Sequence, residues 1–153
     1  MGGNSKSLLP LVEILISVGI FAIAVMLTLE LFLLASFLGT KTSDTAKAIF
    51  EVQNVAENIK TIKTDAEMEK YINDELNGGI VYYDVDWNIV DSQDKAVYNL
   101  TIKMDVDAYS SGGLYKFNIE LSKITKYPFI DENKNENYIP VLVNVDASKF
   151  ILK

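Results

Sequence analysis

LVEILISVGIFAIAVMLTLELFLLASFL, residues Leu11–Leu38, is the stretch on which the reading of this chain turns. A helix needs about 20 apolar residues to cross the hydrocarbon core of a bilayer, and this run supplies more. The apolar region of a secretory signal holds only about 7–15 residues and ends in small residues at a cleavage site. This run is longer and has no such ending, so residues 9–38 are expected to form a retained transmembrane helix. Two carboxylates interrupt the run. Glu30 lies near its outer end, within reach of the interface; Glu13 lies near its inner end. A carboxylate at mid-bilayer costs a few kcal/mol, so each needs a position or a partner that relieves it. Lys6 and the N-terminal amine precede the run on a short flank, and a long domain of both charge signs follows it. Charge on short flanks governs orientation. The N-terminus is therefore expected in the cytoplasm and the C-terminal domain outside the cell membrane.

Beyond the run the composition is that of a polar domain. The chain has 153 residues and a net charge of −7, with no histidine and no cysteine; all fourteen of its cations are lysines. Bidentate recognition of guanine and phosphate uses arginine, so direct nucleic-acid binding by a lone subunit is not expected. The usual general bases, nucleophiles and soft-metal ligands are missing, which argues against an enzyme and against a cofactor or metal centre. Without cysteine there is neither a disulfide nor a thiol for lipidation, and the apolar helix must anchor the chain itself.

Helical periodicity continues past the membrane. Ile49, Val52, Val55, Ala56, Ile59 and Ile62 recur at spacings of three and four, so residues 39–63 are expected to prolong the helix, with Gly39 and Thr40–Asp44 as the place where it would bend or break. The head then occupies residues 64–153. Thr64-Asp65-Ala66-Glu67 has the form of a capping box and opens a short helix over 65–77, stopped by Gly78-Gly79. Tyr71, Ile72 and Leu76 form its buried face. The period next changes to two. Alternation predicts strands near 80–90, 96–107, 114–124 and 139–145, joined by short turns and hence antiparallel. The fold class is α+β: a long N-terminal helix packed on an antiparallel sheet, with the stripe from Ile49 to Ile62 covering the sheet's apolar face.

The acidic groups read as surface. Asp84 with Asp86, and Asp105 with Asp107, each share one face of a predicted strand, the pattern of a solvated sheet face. Asp131-Glu132-Asn133-Lys134-Asn135-Glu136 begins like a calcium loop but has Glu136 where the tight turn needs glycine and Leu142 where the closing glutamate belongs.

Glu13 is the sharper feature. If the leader Met1–Leu8 is removed, the new amine appears beside a carboxylate in an otherwise apolar helix. A neighbouring subunit's amine can then pair with Glu13, neutralise it and set the register of stacked helices. Leu11-Val12-Glu13 and the residues up to Phe21 resemble the N-terminal signature of type IV pilins and type II secretion pseudopilins. Thr45–Lys60 is similar to the exposed half-helix of minor pilin-like proteins. The resemblance implies cleavage by a membrane prepilin peptidase between Leu8 and Leu9, and methylation of the new terminus. It also implies a role for Glu13 as the fifth mature residue, and a filament built of like subunits on an inner-membrane assembly platform. Leu8 stands where the family has glycine or another small residue, and Pro10 where it has threonine or serine. A cut after Ser7 would restore a small residue and leave Glu13 sixth. The other reading is an uncleaved single-pass anchor carrying an extracytoplasmic binding module.

Overall fold

The computed structural model describes residues 5–131, 135 and 137–152, with residues 5–9 described by their backbone alone. Helix α1 runs Ser5–Thr61, and the chain divides into two compact units, residues 1–39 and 40–153.

In the first unit every position from Pro10 to Ser36 is exposed, and the surface is almost wholly aliphatic and aromatic. A helix apolar on all sides has no core to face in water; it needs a lipid or protein surround. Two of its hydroxyls are satisfied within the helix. The Ser17 hydroxyl donates to the Glu13 carbonyl and the Thr28 hydroxyl to the Ala24 carbonyl, each at 2.8 Å. This back-bonding is what lets hydroxyls sit in an apolar medium. One helix of the described residues is long and apolar enough to cross a membrane.

The second unit is α+β, with a five-stranded antiparallel sheet in the order β2-β1-β3-β4-β5. Residues 40–61 of α1 supply its largest helical face. Ala48, Val52, Val55, Ile59 and, just past the helix, Ile62 join one core cluster with Leu100, Phe117, Ile119 and Leu121 of the sheet. The stripe's phase differs from the expected one. Ile49 is 42% exposed and Ala48 is fully buried, so the buried line runs Asp44, Ala48, Val52, Val55, Ile59. Hydrophobicity alone favoured the larger neighbour; close approach of the helix to the sheet selects the smaller one.

Helix α2, Asp65–Lys70, is capped by Thr64, whose hydroxyl accepts from the Glu67 amide at 3.2 Å. The Glu67 carboxylate reaches back to the amide of Lys63 at 2.9 Å, one residue earlier than an ideal capping box would place it. The Lys63 amide first, and the Thr64 amide and hydroxyl after it, hold its carboxyl below the usual range. The helix passes into a wider turn over Tyr71–Glu75 and a tight turn over Asn77–Gly79. At Gly79, with φ of +95°, a side chain would also come within 2.9 Å of the Ile102 carbonyl oxygen, so the stop requires glycine.

The strands are β1 Ile80–Tyr83, β2 Ile89–Val90, β3 Tyr98–Tyr109, β4 Gly112–Lys123 and β5 Val141–Leu152. The strand expected over 80–90 is two strands of a hairpin. Asp84 bends the chain: one carboxylate oxygen accepts the amides of Asp86 and Asn88 at 2.8 and 2.9 Å. Trp87 takes a left-handed conformation, φ of +68°, and stacks on Tyr98 with centroids 4.2 Å apart. The two-residue period persists through the turn, which hides the break from a pattern search. β5 likewise extends to Leu152 instead of closing near 145. Lys149 falls on its inward face, where the ammonium donates to the Lys60 carbonyl at 2.5 Å and neutralises the end of α1. An inward lysine conceals the strand's alternation.

Candidate functional site

Glu13 lies on the exposed apolar surface of the first unit, between Val12 and Ile14. Glu30 lies seventeen positions further along, a rise of about 25 Å along the helix axis. The hydrocarbon core is about 30 Å thick, so the two carboxylates cannot both lie at its middle. With Glu30 at one boundary, Glu13 sits just inside the other. With Leu38 at the boundary instead, Glu30 lies about 12 Å deep and Glu13 passes beyond the far side. The first placement keeps both carboxylates close to polar surroundings. Glu13 is then the one acidic side chain at its level of the helix among the described residues, where a cation from another molecule can reach it. Leu8 and Leu9 belong to α1 by their backbone; their side chains, and residues 1–4 of the leader, lie outside the described residues.

The other acids are engaged locally. Asp84 is turned into its own hairpin loop, not onto a strand face shared with Asp86, and the Asn88 amide groups draw its carboxyl down. Asp107 pairs with Lys116 across the β3–β4 hairpin at 2.6 Å. Asp131, the first position of the calcium-like loop, is 2% exposed and accepts the Tyr127 amide at 3.0 Å. Glu132, Asn133, Lys134 and Glu136 lie outside the described residues. Among the described residues no three acidic side chains converge as a metal ligand set.

One polar cluster was not foreseen. Asp44, on the buried line of α1, meets the Lys123 ammonium at 2.9 Å and the Tyr127 hydroxyl at 2.6 Å. The ammonium also lies 4.1 Å from the Tyr127 ring centroid and 5.3 Å from that of Tyr98. Burial raises the Asp44 carboxyl, but hydrogen bonds from Tyr127, Lys123 and Tyr98 outweigh it and hold the group below the usual range. The same contacts raise both tyrosines, burial being the larger cause. The available signal was phase: Asp44 is four residues before Ala48, in line with the apolar stripe.

No family model, curated protein or solved structure matches this chain. Its architecture is pilin-like: a long N-terminal helix, bare and apolar in its first unit, packed in its second on an antiparallel sheet.

Proposed function

We propose that the chain is a minor pilin or pseudopilin, a structural subunit of a type IV pilus or type II secretion-like filament. One observation carries the reading: a single helix joins an exposed apolar segment, with one carboxylate near its start, to the core of a sheet-covered head. In this role the apolar segment anchors the subunit in the cell membrane and then packs against the helices of other pilin-like subunits. Glu13 pairs with the freed amine of a neighbour. A prepilin peptidase cuts beside Leu8 and Leu9, and an inner-membrane platform drives assembly. The role is structural and involves no catalysis. Pilus, secretion and DNA-uptake machines all use such an anchor.

Leu8 at the cut favours a second reading, an uncleaved anchor carrying an extracytoplasmic binding module. Intact mass and N-terminal sequencing of protein from its native membrane distinguish the two. A chain beginning at Leu8 or Leu9, heavier by one methyl group, supports the subunit; a retained leader supports the anchor. Glu13→Gln separates them again. It should lower incorporation into filaments by at least about tenfold, since removing one member of a buried ion pair strands the other. A simple anchor would tolerate the change.

A further inference from the structure

The two edges of the sheet are unlike. β2 ends one side with two residues, whereas β5 ends the other with twelve. An edge strand presents a row of unpaired amides and carbonyls, and proteins blunt such rows with prolines, bulges, inward charges or short strands. In β5 these devices stand at the two ends. Pro140 precedes it, and Leu142 is passed over in the register, since Leu121 meets Val143 and Ser122 meets Val141. At the other end the inward Lys149 is held by the Lys60 carbonyl. Between them, from Val143 to Ser148, pairing with β4 is regular. Among the described residues no main-chain hydrogen bond reaches this stretch from its open side.

The side chains along the open stretch specify what fits beside it. The inward row, Val143, Val145 and Ala147, lies opposite the buried Leu121, Ile119 and Phe117 of β4. Val145 is nevertheless 37% exposed, and Val143 and Ala147 are half-buried, so the core stops short of the sheet's margin. An added strand with apolar residues on that side would continue the core over them. The outward row has charge of one sign. Asp146 is the one ionised group in it, held by the Asn118 amide at 2.8 Å, and Asn144 donates to the Glu120 carboxylate at 3.1 Å. Over the outward face of β3, β4 and β5 together, the carboxylates of Asp105, Asp107, Glu120 and Asp146 face the ammonium groups of Lys103 and Lys116 alone. Four negative groups against two positive ones leave the face acidic, and a cation on the incoming strand is matched where an anion is not. A second copy of β5 is a poor match, because its own outward row has no cation to set against Asp146.

We propose that β5 accepts a further strand from another protein, independently of the filament reading. The incoming segment is extended, with apolar residues on the core side alternating with polar ones that include a lysine or arginine opposite Asp146. Main-chain pairing supplies the affinity and the two rows of side chains the selectivity. The test uses the full chain in lipid nanodiscs. The probe is a capped peptide of about nine residues in which valine alternates with lysine and threonine. It is titrated calorimetrically to about 1 mM. A second peptide has glutamate in place of lysine. Two more have N-methyl groups on one or the other set of alternate amides, each blocking one edge of the peptide. The lysine peptide should bind saturably, the glutamate peptide at least about fivefold more weakly, and one methylated peptide not at all. Amide exchange should slow in β5 and not in β2. Asp146→Lys should weaken the lysine peptide at least about threefold and strengthen the glutamate peptide, a reversal that misfolding cannot produce. No saturable binding of the lysine peptide, equal binding of the glutamate peptide, or protection that leaves β5 unchanged overturns the proposal. So does self-association of the chain through β5 in sedimentation velocity, which would make a second copy the occupant.

Discussion

Asp44 is the residue whose environment departs most from its surroundings, a carboxylate in an otherwise apolar stripe. Removing one partner of a buried ion pair leaves an uncompensated charge. Asp44→Ala should therefore destabilise the head by about 3 kcal/mol, read by urea unfolding with Trp87, the chain's one tryptophan, as the reporter. The pH dependence has a definite sign. The folded carboxyl lies below its unfolded value, so its contribution is complete above the ordinary carboxylate range. It is lost as pH falls through the depressed folded value. The stability difference between wild type and Asp44→Asn should then shrink steadily below about pH 4. Tyr98 and Tyr127 act oppositely: raised in the folded state, they contribute below about pH 10, and that contribution is lost as pH rises through their folded values. None of this pairing could be read from sequence, because Asp44 and Lys123 are 79 residues apart and no local pattern links them.

Among the elements, the helices and the β3–β4 hairpin were legible and the strand ends were not. Periodicity reports which way side chains point, and it gave the class of each element because helix and strand differ in period. It says nothing of where the backbone turns if the turn keeps the same parity, as Asp84–Asn88 does. Nor does it recognise an inward lysine such as Lys149, whose partner is a helix end. Helix phase was also ambiguous between Ala48 and Ile49, and that ambiguity can be tested. Ala48→Leu should cost about 1–3 kcal/mol by overpacking, while Ile49→Ala should stay within about 0.5 kcal/mol. The reverse ranking would mean that the stripe is turned by one residue. At the β3–β4 turn, a side chain at Gly112 would overlap the Ile151 carbonyl oxygen of β5. Gly112→Ala should lower the unfolding midpoint and weaken amide-exchange protection in β5 more than in β1.

For the whole molecule, every residue of the core cluster lies at or beyond Ala48. A fragment of residues 40–153 should therefore fold cooperatively and sediment as a soluble monomer, whereas the full chain should need lipid or detergent. Aggregation of the fragment, measured by sedimentation velocity, would show that the first unit contributes to the head's stability. The long N-terminal helix was legible because its residues are apolar on all sides, with no break from Leu11 to Leu38. The rows across the outer sheet face, such as Lys103, Asn118 and Asp146, were not legible, since they exist only once three strands are in register. The bond from Lys149 to the Lys60 carbonyl has a bearing on timing. The two residues are 89 positions apart, and Lys149 belongs to the sheet's last strand. A chain made in order from its N-terminal side can zip β1 through β4 as they appear, each beside a strand already present. The Lys60 carbonyl must stay wet until the final strand arrives, while those of Asn58 and Ile59 are met locally by Thr61 and Ile62, so the head locks late, in one closing event.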